Sequence, residues 1–240
     1  MEIPLFLAMT AGELAGVDVL PEQIAWMACH FSSYGTGLSN LPEQLPHGSM
    51  LILNDRTPIC GHDPVLVSRQ LCERAQRLKC SHILLDLQRE DTSPDIVQAI
   101  LSNAPGPVGL STRYAYAFPG PVLLPPIPPH ILLSDAVAPW QDREIWLELS
   151  REGTEITVTA EGSRYTPLPF YIPPDSAHED RTLHCHYEIT VSEKEIRFLL
   201  GRTEADQRAL LAEAMDFGVT CSVGLWQEIK RDPHSPVCSE

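Results

Sequence analysis

Eight short apolar runs, spread over almost the whole chain and divided by turn and helix signals, constrain this fold more than any other feature. They occupy residues 3–9, 23–32, 49–56, 82–88, 107–111, 120–124, 143–149 and 220–226. Each has the length of a strand, and the turn residues that bound them favour strand over buried helix. Several are followed by helix starts. Asp63 before Pro64 is a cap for a helix with apolar Val65, Leu66, Leu71, Ala75 and Leu78, and Ser93 before Pro94 begins a second with Ile96, Val97, Ile100 and Leu101. Residues 203–217 form an amphipathic third, closed by Gly218.

Strands of one direction separated by helices or long crossovers predict an α/β fold, an irregular (β/α)8 TIM-like barrel. Some helices are expected to be missing, since the join between 107–111 and 120–124 is too short for one. Residues 154–160, 183–191 and 195–200 alternate with a strand period, the last two as a hairpin across Ser192, Glu193 and Lys194. They are read as an insertion, about 150–202, before the last helix and strand. A single barrel domain over 1–230 and a flexible tail over 231–240 complete the expectation. An open doubly wound sheet is the runner-up, but no glycine-rich phosphate loop follows the first run.

At 240 residues, 43% hydrophobic and 20% charged, the chain is of the globular class. No apolar run reaches the ~20 residues that cross a bilayer, and the start lacks the basic region of an export signal. A net charge of −15 repels phosphate backbones and anionic membrane surfaces, so neither nucleic acid nor membrane is expected as a partner. Seven cysteines (29, 60, 72, 80, 185, 221 and 238), without a C-x-x-C pair, read as reduced thiols of a cytoplasmic protein. The G-x-S-x-G elbow and the P-loop are absent. His184 and His186 share one strand face with the spacing of metal ligands, but they sit in a late insertion. The reading is that they bind no metal, and no cofactor is expected.

Barrel sites lie at the C-terminal ends of the strands. That rule gathers Asp86, Gln88 and Glu148 as catalytic candidates, and Tyr34, Asn54, Asp55, Glu90, Tyr114, Trp146, Trp226 and Glu228 as ligand-binding ones. Carboxylates and amides grip hydroxyls and aromatic faces stack on rings, so the set suits a polar, ring-shaped small molecule or an oligosaccharide. Along the strand S-H-I-L-L-D-L-Q of residues 81–88, alternation puts Leu84, Asp86 and Gln88 on one face and Ile83, Leu85 and Leu87 on the other. An unpaired buried Asp is costly. Asp86 is therefore read as facing the barrel interior near its mouth, met there by a ligand or by a neighbouring strand.

This strand resembles, distantly, the fourth strand of the chitinase-like barrels of glycoside hydrolase family 18, which carries D-G-x-D-x-D-x-E. Asp86 matches the second inner Asp, Leu84 replaces the first, and Gln88 stands where the family keeps its acid Glu. Trp226, in V-G-L-W-Q-E, resembles the tryptophan that floors the family's sugar subsite. The resemblance implies a barrel that binds a sugar-like ligand. It also implies absent or altered hydrolysis, since an amide cannot donate and regain the proton that general acid catalysis requires. Another acid would have to serve, with Glu90, Glu148 and Glu228 placed for it. Two other readings stand: a noncatalytic scaffold that self-associates as a homodimer through the hairpin of 183–200, and a metal-dependent hydrolase.

Overall fold

The structure, a computed structural model, describes residues 2–56 and 61–229. Cys60, Cys238 and the expected tail of 231–240 lie outside the described residues.

The barrel begins with β1 (Leu5–Met9), α1 (Ala11–Gly16), β2 (Ile24–Phe31), β3 (Leu38–Ser39) and β4 (Met50–Asn54). It continues through α2 (Pro64–Leu78), β5 (His82–Asp86), α3 (Pro94–Asn103), β6 (Val108–Ser111), α4 (Thr112–Ala115), β7 (Val122–Leu124), α5 (Leu133–Val137) and β8 (Ile145–Leu149). Five strands follow: β9 (Gly153–Thr159), β10 (Gly162–Leu168), β11 (His178–Asp180), β12 (Cys185–Val191) and β13 (Glu195–Gly201). Then come α6 (Glu204–Ala214), β14 (Val219–Leu225) and α7 (Trp226–Ile229).

All eight expected runs become barrel strands. They pair in parallel in the order β1, β14, β8, β7, β6, β5, β4, β2, and the pairing of β2 with β1 closes the ring. The fold is an eight-stranded (β/α) barrel. The antiparallel β3 covers the end of β2 that runs beyond β1.

The outer layer is uneven, for reasons visible locally. In α2, Asp63 Oδ1 accepts from the Val65 and Leu66 amides, and Val67, Leu71, Ala75 and Leu78 are buried. In α3, Ser93 caps and Ile96, Val97 and Ile100 are buried. By contrast α1, though closed by a capping box between Thr10 and Glu13, buries no residue, and α4 is one turn long. The expected helix over 203–217 ends its α-helical part at Ala214, then tightens into a 3-10 turn before Gly218 at φ 81°. The run expected over 220–226 begins one residue earlier and stops at Leu225, and Trp226 starts α7.

Inside the barrel, Phe6, Ala8, Ala25, Met50, Ile52, Leu84, Leu123, Trp146, Cys221 and Val223 form one cluster, while the opposite faces of the strands pack against the helices. Trp146 fits only because position 109 is glycine: a Cβ there would lie 2.3 Å from the indole. At the lower end the His82 ring meets Phe6 and Trp146 edge-on, with centroids 5.0 and 5.1 Å apart.

β9–β13 form a separate antiparallel sheet in the order β10, β9, β13, β12, β11. The expected hairpin is present as β12 and β13 but is not at an edge. β13 is paired on both sides, and β11 covers β12 over Cys185–Tyr187, leaving only residues 188–191 outside a ladder on that side. Edge pairing through the hairpin thus loses most of the free backbone it required. Arg202, just past β13, fixes this sheet to the barrel. Its guanidinium donates to the carbonyls of His184 (3.1 Å), Leu183 (3.3 Å), Pro128 (3.5 Å) and Ile127. Burial pushes the Arg202 pKa down to about 10. No helix among the described residues is long and apolar enough to cross a membrane.

Candidate functional site

Alternation along three barrel strands sends polar groups into one cavity at the C-terminal mouth. Beyond the interior residues Ile52, Leu84 and Trp146, the next inward positions on β4, β5 and β8 are Asn54, Asp86 and Glu148. With Arg56 they rim a cavity of ≈ 330 Å³ whose floor is Ala8, Met27, Ile52, Leu84, Leu123 and Val223. An apolar floor beneath a few converging polar groups is the usual build of a small-molecule site.

The rim is ordered from behind. Asn54 Nδ2 donates to the Met27 carbonyl at 3.0 Å, and Asn54 Oδ1 accepts from the Arg56 amide at 3.3 Å. Gln88 Nε2 donates to Asp86 Oδ1 at 2.9 Å. Glu148 is the most perturbed carboxyl here. Burial raises its pKa to about 7, and the charges of Asp86, Glu228 and Glu152 add to the rise. A carboxyl that titrates at neutrality can give and take a proton there, which an ordinary glutamate does poorly.

Of the eleven candidate residues, the mouth cavity brings together Asn54, Asp86 and Glu148. Gln88 lies exposed beside Asp86, its amide already bonded to that carboxylate. Asp55, one residue past Asn54, points the other way. Its buried carboxylate accepts from the amides of Gln88 (3.1 and 2.9 Å) and Arg89 (2.7 Å) and from the Thr92 hydroxyl (3.1 Å), so it holds the β5–α3 loop. Tyr114 is also turned away: α4 buries its ring, and its hydroxyl donates to the Arg89 and Thr92 carbonyls.

Trp146 has the inward parity but the wrong depth. It is fully buried one layer below Glu148, and its indole donates to Glu144 Oε1 at 3.1 Å. Trp226 opens α7 and packs against the outer cluster, and it does not line the mouth. Glu90 is exposed and ion-paired with Arg113 at 3.4 Å. Tyr34 projects into solvent from the β2–β3 loop. Glu228 Oε2 accepts from the Arg151 amide at 3.2 Å, and burial raises its pKa.

Sequence reasoning passed over a second cavity of ≈ 230 Å³ next to the mouth, between the barrel and the five-stranded sheet. Pro126–Pro129 form one wall, as the stiffness of that stretch allows, and Glu148 lines this cavity as well as the mouth. The signal available was the polyproline wall with His130 at its end. The strand parity of Tyr165 pointed nowhere without knowing what the sheet faces.

His184 and His186 are each taken by an acid of α6, His184 Nε2 lying 2.5 Å from Glu213 Oε2 and His186 Nδ1 2.8 Å from Asp206 Oδ2. Among the described residues no group of three or more His, Cys, Asp and Glu is placed to hold a metal ion. The five described cysteines are unpaired, and burial pushes the Cys29, Cys185 and Cys221 thiols up to about 12.

No protein-family model matches the sequence, and no curated protein matches it. Among solved structures, the spore cortex-lytic enzyme SleL of Bacillus megaterium QM B1551 aligns with a TM-score of 0.50 at 8% identity, over 93% of this chain and 70% of that one. The fold resembles, at a distance, the chitinase-like barrels of glycoside hydrolase family 18. A chitinase from Chromobacterium violaceum ATCC 12472 aligns over 98% of this chain and 100% of that one, at 8% identity and a TM-score of 0.47. At such identity the likeness is one of fold and gives no residue a role.

Proposed function

We propose that this chain binds a sugar-like ligand in the mouth of its barrel, and that any hydrolysis there runs through Glu148 rather than through the position held by Gln88. The observation that carries this reading is one cavity lined by both Asp86 and Glu148, the latter with its pKa raised to about 7. Asp86 would orient the ligand and Glu148 would hold the proton. Asn54 and Arg56 offer further polar contacts over an apolar floor, a combination suited to a pyranose ring with its polar edge and less polar face. The distant likeness of fold to chitinase-like barrels agrees with that ligand class. Gln88 cannot replace the missing acid, and Glu90 and Glu228 are committed to Arg113 and to the Arg151 amide. Activity is therefore expected to be altered from the family's, or absent. Unpaired thiols suit a reducing compartment such as the cytoplasm.

The test is calorimetric titration of N-acetylglucosamine and its oligomers, with chromatographic assay of cleavage. Asp86→Asn is expected to weaken binding at least tenfold. If the wild type cleaves, Glu148→Gln is expected to slow cleavage by ~10²–10⁴-fold, the usual contribution of a general acid. Absence of binding and of cleavage for every sugar tried would falsify the reading.

The second reading, a noncatalytic scaffold, has one observation in its favour. Ile189, Val191 and Ile196 fall on one face of the β12–β13 hairpin and are exposed.

A further inference from the structure

A (β/α)8 barrel normally covers the outer face of each strand with a helix, and here the cover over β1 is thin. α1 is six residues long and buries none of them. α7 lies against β1 and β14, where the last barrel helix belongs, and is described for a single turn. Beside that turn a groove of ≈ 530 Å³ opens between α6 and residues 2–5. Its floor is apolar, made by Ile3, Leu5, Leu149, Leu211, Met215 and Ile229. Leu5 and Leu211 are only partly buried, and Met215 is exposed. A second hollow of ≈ 510 Å³ shares Glu2, Ile3 and Leu5 with the first and extends it to Pro21, next to the exposed Val19 and Leu20. The rim is acidic. Glu2 and Glu204 edge the first hollow and Glu22 the second, while the one cation among the described residues of these linings, Arg208, is ion-paired with Glu204 at 3.2 Å.

We propose that this groove is a docking site for a basic amphipathic helix of a partner protein, whose apolar side chains enter the slot while its Lys and Arg face Glu2, Glu22 and Glu204. An apolar groove walled by a helix and a strand accepts the apolar stripe of another helix, with anchors at i, i+3 or i+4 and i+7. The acidic rim chooses the sign of the partner. On a chain of net charge −15 it attracts a basic helix and repels an acidic one, and it opposes a second copy of this chain as well. The sequence after Ile229, K-R-D-P-H-S-P, holds two prolines and so argues against a helix that would continue α7. The groove shares no lining residue with the mouth, and its occupant is independent of any ligand there.

The probe is a labelled peptide of Leu and Lys with leucines at the helical period, about 15 residues long so that it can hold a helix. Its binding to the full chain is followed by fluorescence anisotropy. Two peptides serve as controls, one with the same composition and its leucines shuffled out of period, the other with Glu in place of Lys. The periodic basic peptide is expected to bind at least about tenfold more tightly than either. Met215→Asp should weaken it by about tenfold or more, as a charge set in the middle of an apolar contact does. Glu204→Gln should weaken it less and flatten its dependence on salt. Because Met215 is exposed, its substitution leaves the core undisturbed, and Val191→Lys on the second sheet should leave affinity unchanged. Equal binding of the shuffled peptide, or binding that Met215→Asp does not alter, overturns the proposal. Binding seen only in the double variant Lys230→Glu, Arg231→Glu gives the groove to the chain's own residues 230–240. A doubled mass in solution that Met215→Asp halves gives it to a second copy, and either result overturns the partner helix.

Discussion

Glu148 shows how one side chain ties stability to pH. Its carboxyl holds its proton more tightly in the folded chain, with a pKa of about 7 against an ordinary 4.5. A raised acid contributes its full stability below pH 4.5, and that contribution falls as pH rises from there past about 7. The isosteric Glu148→Gln removes this loss. At pH 8 the variant is expected to melt ~2–4 °C above wild type, the shift that about 1 kcal/mol gives a chain of this size. At pH 4.5 the two should melt together, as thermal scans across that range would reveal; equal melting points at both pH values would mean that Glu148 is better hydrated than its surroundings imply. Residue by residue, parity was legible in the sequence and depth was not. Alternation puts Trp146 and Glu148 on the same inward face, but only the point where β8 starts, and the glycine at 109 that admits the indole, decide that Trp146 is core and Glu148 is rim.

At the scale of elements, the loop between β5 and α3 is organised by a residue of another strand. Asp55 receives two backbone amides and the Thr92 hydroxyl in a buried setting, and Tyr114 from α4 closes the same loop by donating to two of its carbonyls. Asp55→Ala strands these donors and is expected to cost about 3 kcal/mol, lowering the melting temperature by ~6–12 °C. Asp55→Asn should recover part of the loss, while weakening sugar binding only as far as Asp86 is displaced. A neutral effect of Asp55→Ala on melting would show that water replaces the carboxylate. The strands themselves were legible because a barrel strand, buried on both faces, is written as a short apolar run. What followed each strand was not. Tyr114 and Trp226 stand just past strand ends, yet α4 and α7 begin there at once and carry both rings outward. Asp55 follows Asn54 directly, and the half-turn between neighbours on a strand gives one to the mouth and the other to the loop.

For the whole molecule, the closed ring leaves the barrel strands no free edges, while the five-stranded sheet keeps two. Both are poor templates, since one is broken between the three residues of β11 and residues 188–191 of β12, and the other, β10, carries Arg164 and Pro167. With a net charge of −15 opposing self-contact, light scattering is expected to return the mass of one chain, 26.6 kDa. A doubled mass that Val191→Lys halves would instead favour the scaffold reading, with the face of Ile189, Val191 and Ile196 as its seat. The bond between the two sheets is of another kind. Arg202 leaves the second sheet and spends its donors on the Ile127 and Pro128 carbonyls of the proline wall and on the chain at 183–184. Excising residues 151–202 and rejoining the ends would thus take away a wall's anchor along with the module. A chimera that borrows this sheet for another barrel has to borrow residues 126–130 with it.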